Sequence, residues 1–168
     1  MAEKTPRVHV LAVVGAAFVL AALTALAYWL AFTDRAPERP RIIELSAPAD
    51  CIPLGNWCRA RDSKRDIALR LPAVVTYLRE FEVEVRVRSA GETGPGEVTV
   101  TFEMAGMNMG MNRIRLHPAA TGAEPSIWIG KAMLPVCASG RTDWQAIVSA
   151  GNGQRSYRVV FGFEAAKR

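Results

Sequence analysis

Hydrophobic and polar positions divide this 168-residue chain into three regimes. From Val8 to Phe32 there is no charged residue, and only His9, Thr24 and Tyr28 interrupt an apolar run. A bilayer core is crossed by about 20 apolar residues in helical form. Residues 8–32 are therefore predicted to be a transmembrane helix, with residues 1–7 as a short tail. From Thr33 to Pro48, proline and charge replace any hydrophobic period, the pattern of a tether (33–48). The remaining residues, 49–168, are enough for one compact domain of roughly 120 residues and not two.

Within that domain the period is two from residue 66 onward. Phe81, Val83, Val85 and Val87 alternate with Glu82, Glu84, Arg86 and Arg88, the pattern of a half-buried strand. Glycine and proline between Gly91 and Gly96 turn the chain, and Val98, Val100, Phe102 and Met104 repeat the alternation. Arg113–His117 does so again, with Ile114 and Leu116 facing inward and His117 on the polar side. Further strands are predicted at 66–71, 126–134, 143–149 and 156–164, separated by turn residues such as Gly122-Ala-Glu-Pro125 and Gly151-Asn-Gly-Gln154. Seven or so short strands predict an all-β fold, a single antiparallel immunoglobulin-like β-sandwich behind one N-terminal transmembrane helix.

The apolar run is longer than a signal-peptide core of about 7–15 residues, which argues for a retained anchor. Ala25-Leu26-Ala27 nevertheless offers a small-x-small pattern that a signal peptidase could cut. Tyr28 and Trp29 suit an interfacial aromatic belt. Lys4 and Arg7 precede the helix, while Arg35, Arg39 and Arg41 follow it among Asp34 and Glu38, so flanking charge does not place the N-terminus in the cytoplasm. The cysteines and the short N-terminal tail favour the sandwich lying outside the cytoplasm. The expectation is a bacterial inner-membrane, single-pass protein with a periplasmic domain.

Chemistry concentrates in one place. Four of the six methionines fall in Met104-Ala-Gly-Met107-Asn-Met109-Gly-Met111. Thioethers are soft donors that favour Cu(I) over hard cations. In an extended stretch Met107, Met109 and Met111 point to one face, and the glycines and asparagines between them add no bulk. Methionine is equally an adaptable core filler, so both readings stand. Met104, His117 and Cys137 are candidate further donors. His117, the one histidine outside the apolar run, is also an ordinary surface residue of a strand's polar face.

Cys51 and Cys58 enclose Pro53 and Gly55, which favour a chain reversal, and are predicted to form a disulfide in an oxidising compartment. Cys137 is then left over as a metal ligand, an intermolecular partner or a buried inert thiol. No Ser/His/Asp order in a recognisable context, glycine-rich phosphate loop or His/Asp/Glu cluster is present, so the domain is not expected to be an enzyme. The chain carries 21 Lys+Arg against 16 Asp+Glu, a net of +5. Those charges are interspersed, without a basic block or interleaved aromatics, and no nucleic-acid partner is expected.

The order of membrane helix, short tether, single sandwich and methionine-rich strand resembles the FixH-like and YtkA-like small periplasmic domains over nearly the whole chain. In Met104–Met111 alone it resembles the Met-rich periplasmic copper carriers. The resemblance implies copper handling or maturation of a respiratory oxidase. Two features depart from those families. Only His117 is on offer where copper carriers of the cupredoxin-like type pair methionine with several histidines, and neither Cys51/Cys58 nor Leu134-Pro-Val-Cys137-Ala-Ser-Gly140-Arg-Thr-Asp-Trp144 matches their motifs. Three functions follow as expectations: Cu(I) binding and delivery, a structural or assembly module docking on a membrane complex, and thiol redox chemistry through Cys137.

Overall fold

The computed structural model describes residues 6–33, 41–89, 94–107, 112–119, 126–136 and 140–166. The chain divides into two compact units, with the boundary between residues 39 and 40.

The first unit holds one helix, α1 (Pro6–Thr33). Pro6 sits at the first helical position, where its missing N–H costs no intrahelical bond. From Ala12 to Leu30 the helix is long and apolar enough to cross a membrane, with no part of that stretch buried against protein. An apolar surface on every side has no face for water. The Thr24 hydroxyl bonds back to the Ala21 carbonyl at 2.9 Å, which satisfies it within the helix.

The second unit is built from β1 (Arg41–Leu45), β2 (Cys58–Arg61), β3 (Arg65–Arg70), β4 (Glu80–Ser89) and β5 (Glu97–Glu103), followed by β6 (Arg113–Arg115), β7 (His117–Pro118), β8 (Ser126–Met133), β9 (Asp143–Gly151) and β10 (Arg155–Glu164). They form two five-stranded sheets, ordered β1-β10-β9-β5-β6 and β2-β3-β4-β8-β7. Every strand pair but one is antiparallel. The exception is β1, which runs parallel to β10 with Arg41 opposite Arg155. β1 falls inside the stretch read from sequence as tether, and β2 was likewise not predicted. Both are edge strands of four or five residues, too short to show a period and stabilised by the neighbour they join.

The predicted alternation sets the core. Phe81, Val83, Val85 and Val87 of β4 and Val98, Val100 and Phe102 of β5 are buried, as are Trp144, Ala146, Val148, Val159, Phe161 and Phe163 from β9 and β10. Phe102 meets Phe81 of the other sheet edge-on at 5.6 Å and Phe163 of its own sheet at 6.1 Å, an arrangement that aromatic quadrupoles favour.

Between β6 and β7 the chain crosses from one sheet to the other. Leu116 makes the crossing: it is buried, and its N–H donates to the Val98 carbonyl at 2.9 Å. Pro118, which cannot donate to a ladder, sits on the edge strand β7, where no donor is needed. At the end of the domain where β1 begins, Arg65 of β3 lies under the surface with its guanidinium 4.9 Å from the Tyr157 ring of β10. β5 runs away from this end and finishes at Glu103, so the start of β1 and Met104 lie at opposite ends of the sheets.

Candidate metal centre at the methionine turn

Beyond β5 the chain reverses within Met104-Ala-Gly-Met107. The Met107 N–H donates to the Met104 carbonyl at 3.0 Å, and the two residues form an isolated bridge. Gly106 has φ 74°, the left-handed conformation that the third position of a type II turn requires and glycine supplies without strain. The turn therefore delivers Met107 back beside the end of β5, directly ahead of residues 108–111.

The candidate donors separate sharply. Met104 is 1% exposed and belongs to the hydrophobic core, where its thioether fills space between the sheets. Met107 is half-buried and packs on the edge of that core. Met109, Met111 and Cys137 lie outside the described residues. His117 is exposed on β7, next to the Leu116–Val98 hydrogen bond. Six residues of strand separate Val98 from Met104, about 20 Å at a strand's rise per residue. His117 and Met107 therefore cannot share one ion, and the structure does not bring together the full donor set read from sequence.

A network fixes the turn from the side. Arg141 donates through Nη1 to the Ala105 carbonyl at 3.3 Å and through Nε to the Asp143 carboxylate at 2.8 Å, with Nη2 on the other carboxylate oxygen. The Arg141 carbonyl in turn accepts from the Tyr77 hydroxyl at 2.8 Å, and Trp144 Nε1 donates to that same hydroxyl at 3.3 Å. Trp144 is buried, so this chain of bonds ties the turn to the core. The Arg141 hydrogen bond, aided by a backbone hydrogen bond and then by the Arg141 charge, holds the Asp143 carboxyl below the ordinary aspartate range. Sequence reasoning gave these residues no role. The available signal was Arg141-Thr-Asp143, an i, i+2 pair of opposite charge at the start of a strand.

The segment containing Cys137 leads into this network at Gly140. Among the described residues no group of three or more His, Cys, Asp or Glu side chains is placed to hold a metal ion. Of the thioethers described, Met107 stands at the edge of the core and Met104 is committed to it.

Cys51 and Cys58 stand within bonding distance as a disulfide, with Cα atoms 5.5 Å apart. The loop they close is tied to the sheet by Leu71 N–H to the Pro53 carbonyl at 2.7 Å and Gly55 N–H to the Leu71 carbonyl at 2.8 Å. Compared with protein-family models, with curated proteins and with solved structures, the chain matches none of them.

Proposed function

We propose that this is a membrane-anchored, periplasmic Cu(I)-binding protein serving copper delivery or respiratory oxidase maturation. α1 is the anchor, and the two-sheet domain is an immunoglobulin-like sandwich that presents a thioether site at the end remote from its entering strand. The observation that carries the reading is the turn itself. Met104 roots the segment in the core, Gly106 reverses the chain, and Met107 emerges half-buried at the head of Met109 and Met111. One thioether is spent on packing and three follow at alternate positions. Met107, Met109 and Met111 would hold the ion. Neutral, weakly basic sulfurs would keep it at mildly acidic pH, where thiolate and imidazole sites lose ligands to protons.

X-ray absorption at the copper edge tests the coordination. Full-length protein in detergent, loaded with one equivalent of Cu(I), is expected to give a sulfur-only first shell, unchanged by His117→Ala. A shell with imidazole nitrogen that disappears in His117→Ala would refute this donor set.

A second reading is a metal-free assembly module. It is favoured by the apolar side chains that the same end exposes: Val74, Leu78, Met133 and Val136 are each about half exposed or more. Leu78 takes φ 56°, unusual for a residue with a branched side chain, while its N–H holds the Leu134 carbonyl at 3.0 Å. A pull-down from membranes that recovers the same partner with Met107→Leu/Met109→Leu protein as with wild type would support this reading over copper.

A further inference from the structure

The outward face of the sheet β1-β10-β9-β5-β6 carries a cleft of about 740 Å³. Its shape follows from side-chain length. The register places Glu44, Arg158, Ser149, Thr99 and Arg115 side by side across β1, β10, β9, β5 and β6, with Glu44 exposed at the sheet edge and forming no ion pair with Arg158 among the described residues. Short residues thus line the two central strands, and arginines stand on the flanking ones. Along the next row Arg113 stands beside Thr101, which is beside Ile147. Ile147 points outward with this face, yet it is only 5% exposed and lies outside the core cluster. The cleft therefore has an apolar patch in its floor.

Its polar groups are left unspent. The hydroxyls of Thr99 and Ser149 take part in no hydrogen bond among the described residues, and Arg158 pairs there with no carboxylate. Among the described residues Arg113 reaches only the Thr101 hydroxyl, at 3.4 Å. Of the two carboxylates in the lining, Glu97 is engaged by Arg115 at 2.7 Å. Glu103 lies toward the methionine end. The cationic, hydroxyl-lined half of the cleft is thus open to anionic oxygen.

We propose that this cleft binds a small organic dicarboxylate. A guanidinium meets a carboxylate with two parallel N–H donors, and Arg158 and Arg113 stand on opposite walls. β10 and β6 are three strand spacings apart, about 14 Å between backbones. Two long arginines reaching inward across that gap suit two acid groups separated by a short apolar body more than they suit one compact ion. Ile147 is placed under such a body, and the Thr99 and Ser149 hydroxyls under the carboxylate oxygens. This inference is independent of copper, because the cleft uses neither methionine nor histidine.

The test is calorimetric titration of full-length protein in zwitterionic detergent with adipate, with valerate and with inorganic phosphate as probes. Adipate is expected to bind saturably. Valerate, and adipate on Arg158→Gln or Arg113→Gln protein, should each bind about tenfold more weakly or worse, the loss of one charge-assisted contact. Ser149→Tyr should abolish binding by filling the floor without altering charge, with the circular-dichroism spectrum of every variant unchanged. Absence of saturable adipate binding, equal binding of valerate, tighter binding of phosphate, or wild-type affinity in the three variants would each overturn the proposal.

Discussion

The side chain of Leu116 occupies the space that a side chain at Gly130 would need: a Cβ on Gly130 would fall 2.5 Å from Leu116 Cδ2. Gly130 lies in β8 between Ile129 and Lys131 with its open side toward the core, and Leu116 is the residue by which the chain changes sheets. The missing side chain on one strand makes room for the crossover on another. Gly130→Ala should therefore destabilise the domain by about 1–3 kcal/mol, the cost of overpacking a tight core. In a Leu116→Ala background the same change at Gly130 should cost less, through coupling between contacting sites. Urea denaturation measures both, and a neutral Gly130→Ala would show that the crossover is loosely packed.

Met104 and Met107 should answer differently to substitution although they are three residues apart. Met104→Ala removes buried volume and is expected to cost about 2–5 kcal/mol. Met104→Leu conserves volume and should cost less than about 1.5 kcal/mol, leaving Cu(I) affinity at the wild-type value. Met107→Leu should be similarly mild for stability but weaken Cu(I) binding. Thermal unfolding and a chelator competition on the same samples separate the two effects.

Reduction of Cys51–Cys58 should loosen the start of the domain. An eight-residue closed loop is worth about 2.5 kcal/mol on the chain-entropy model. Trp57, next to Cys58, is stacked by the Arg70 and Arg86 guanidinium groups at 4.9 and 4.2 Å, and these contacts hold the loop to the outward face of β3 and β4 without the bond. Cys51→Ala/Cys58→Ala protein is thus expected to fold with a lower unfolding temperature and unchanged strand content by circular dichroism. Loss of strand content would mean that the loop is needed for the sheet to form.

The Arg141–Asp143 pair sets a pH response at the methionine end. The folded Asp143 carboxyl lies below its ordinary value. Its contribution to stability is therefore present above the unfolded aspartate range and is lost as pH falls through the lower folded value. Carboxyl-carbon NMR titration should find Asp143 still ionised at about pH 4, near the ordinary aspartate value, and Arg141→Gln should return it upward. An unshifted Asp143 in the wild type would show that the Arg141 fork is not formed in solution.

Much of the fold was legible because period-two alternation is a direct record of burial. Phe81 to Arg88 and Val98 to Met104 assigned their own faces, and each predicted strand from β3 to β10 lies within a residue or two of its observed span apart from the split at Leu116. That split was hidden because Arg113–His117 alternates without a break while changing partners. β1 and β2 were hidden by brevity. The candidate site was less legible. Met104 carries two patterns at once, the inward position that follows β5 and the first methionine of the cluster, and packing claims its side chain. His117 is close to Met111 in sequence, but strand rise carries it to the far end of the sheet. Arg141 and Tyr77, which brace the turn, are far apart in sequence and meet only through tertiary contact.

Cu(I) titration of full-length protein against a competing chelator, comparing wild type with Met107→Leu/Met109→Leu, tests the central claim most directly. Leucine keeps volume and apolarity, so the double variant should fold with wild-type circular dichroism and nearly unchanged thermal stability. The expected result is one tightly held Cu(I) in the wild type and affinity lower by at least about two orders of magnitude in the variant, the loss of two donors at more than 1.4 kcal/mol each. Equal affinity in the two proteins, or no Cu(I) retained by the wild type, would contradict copper binding at the methionine turn.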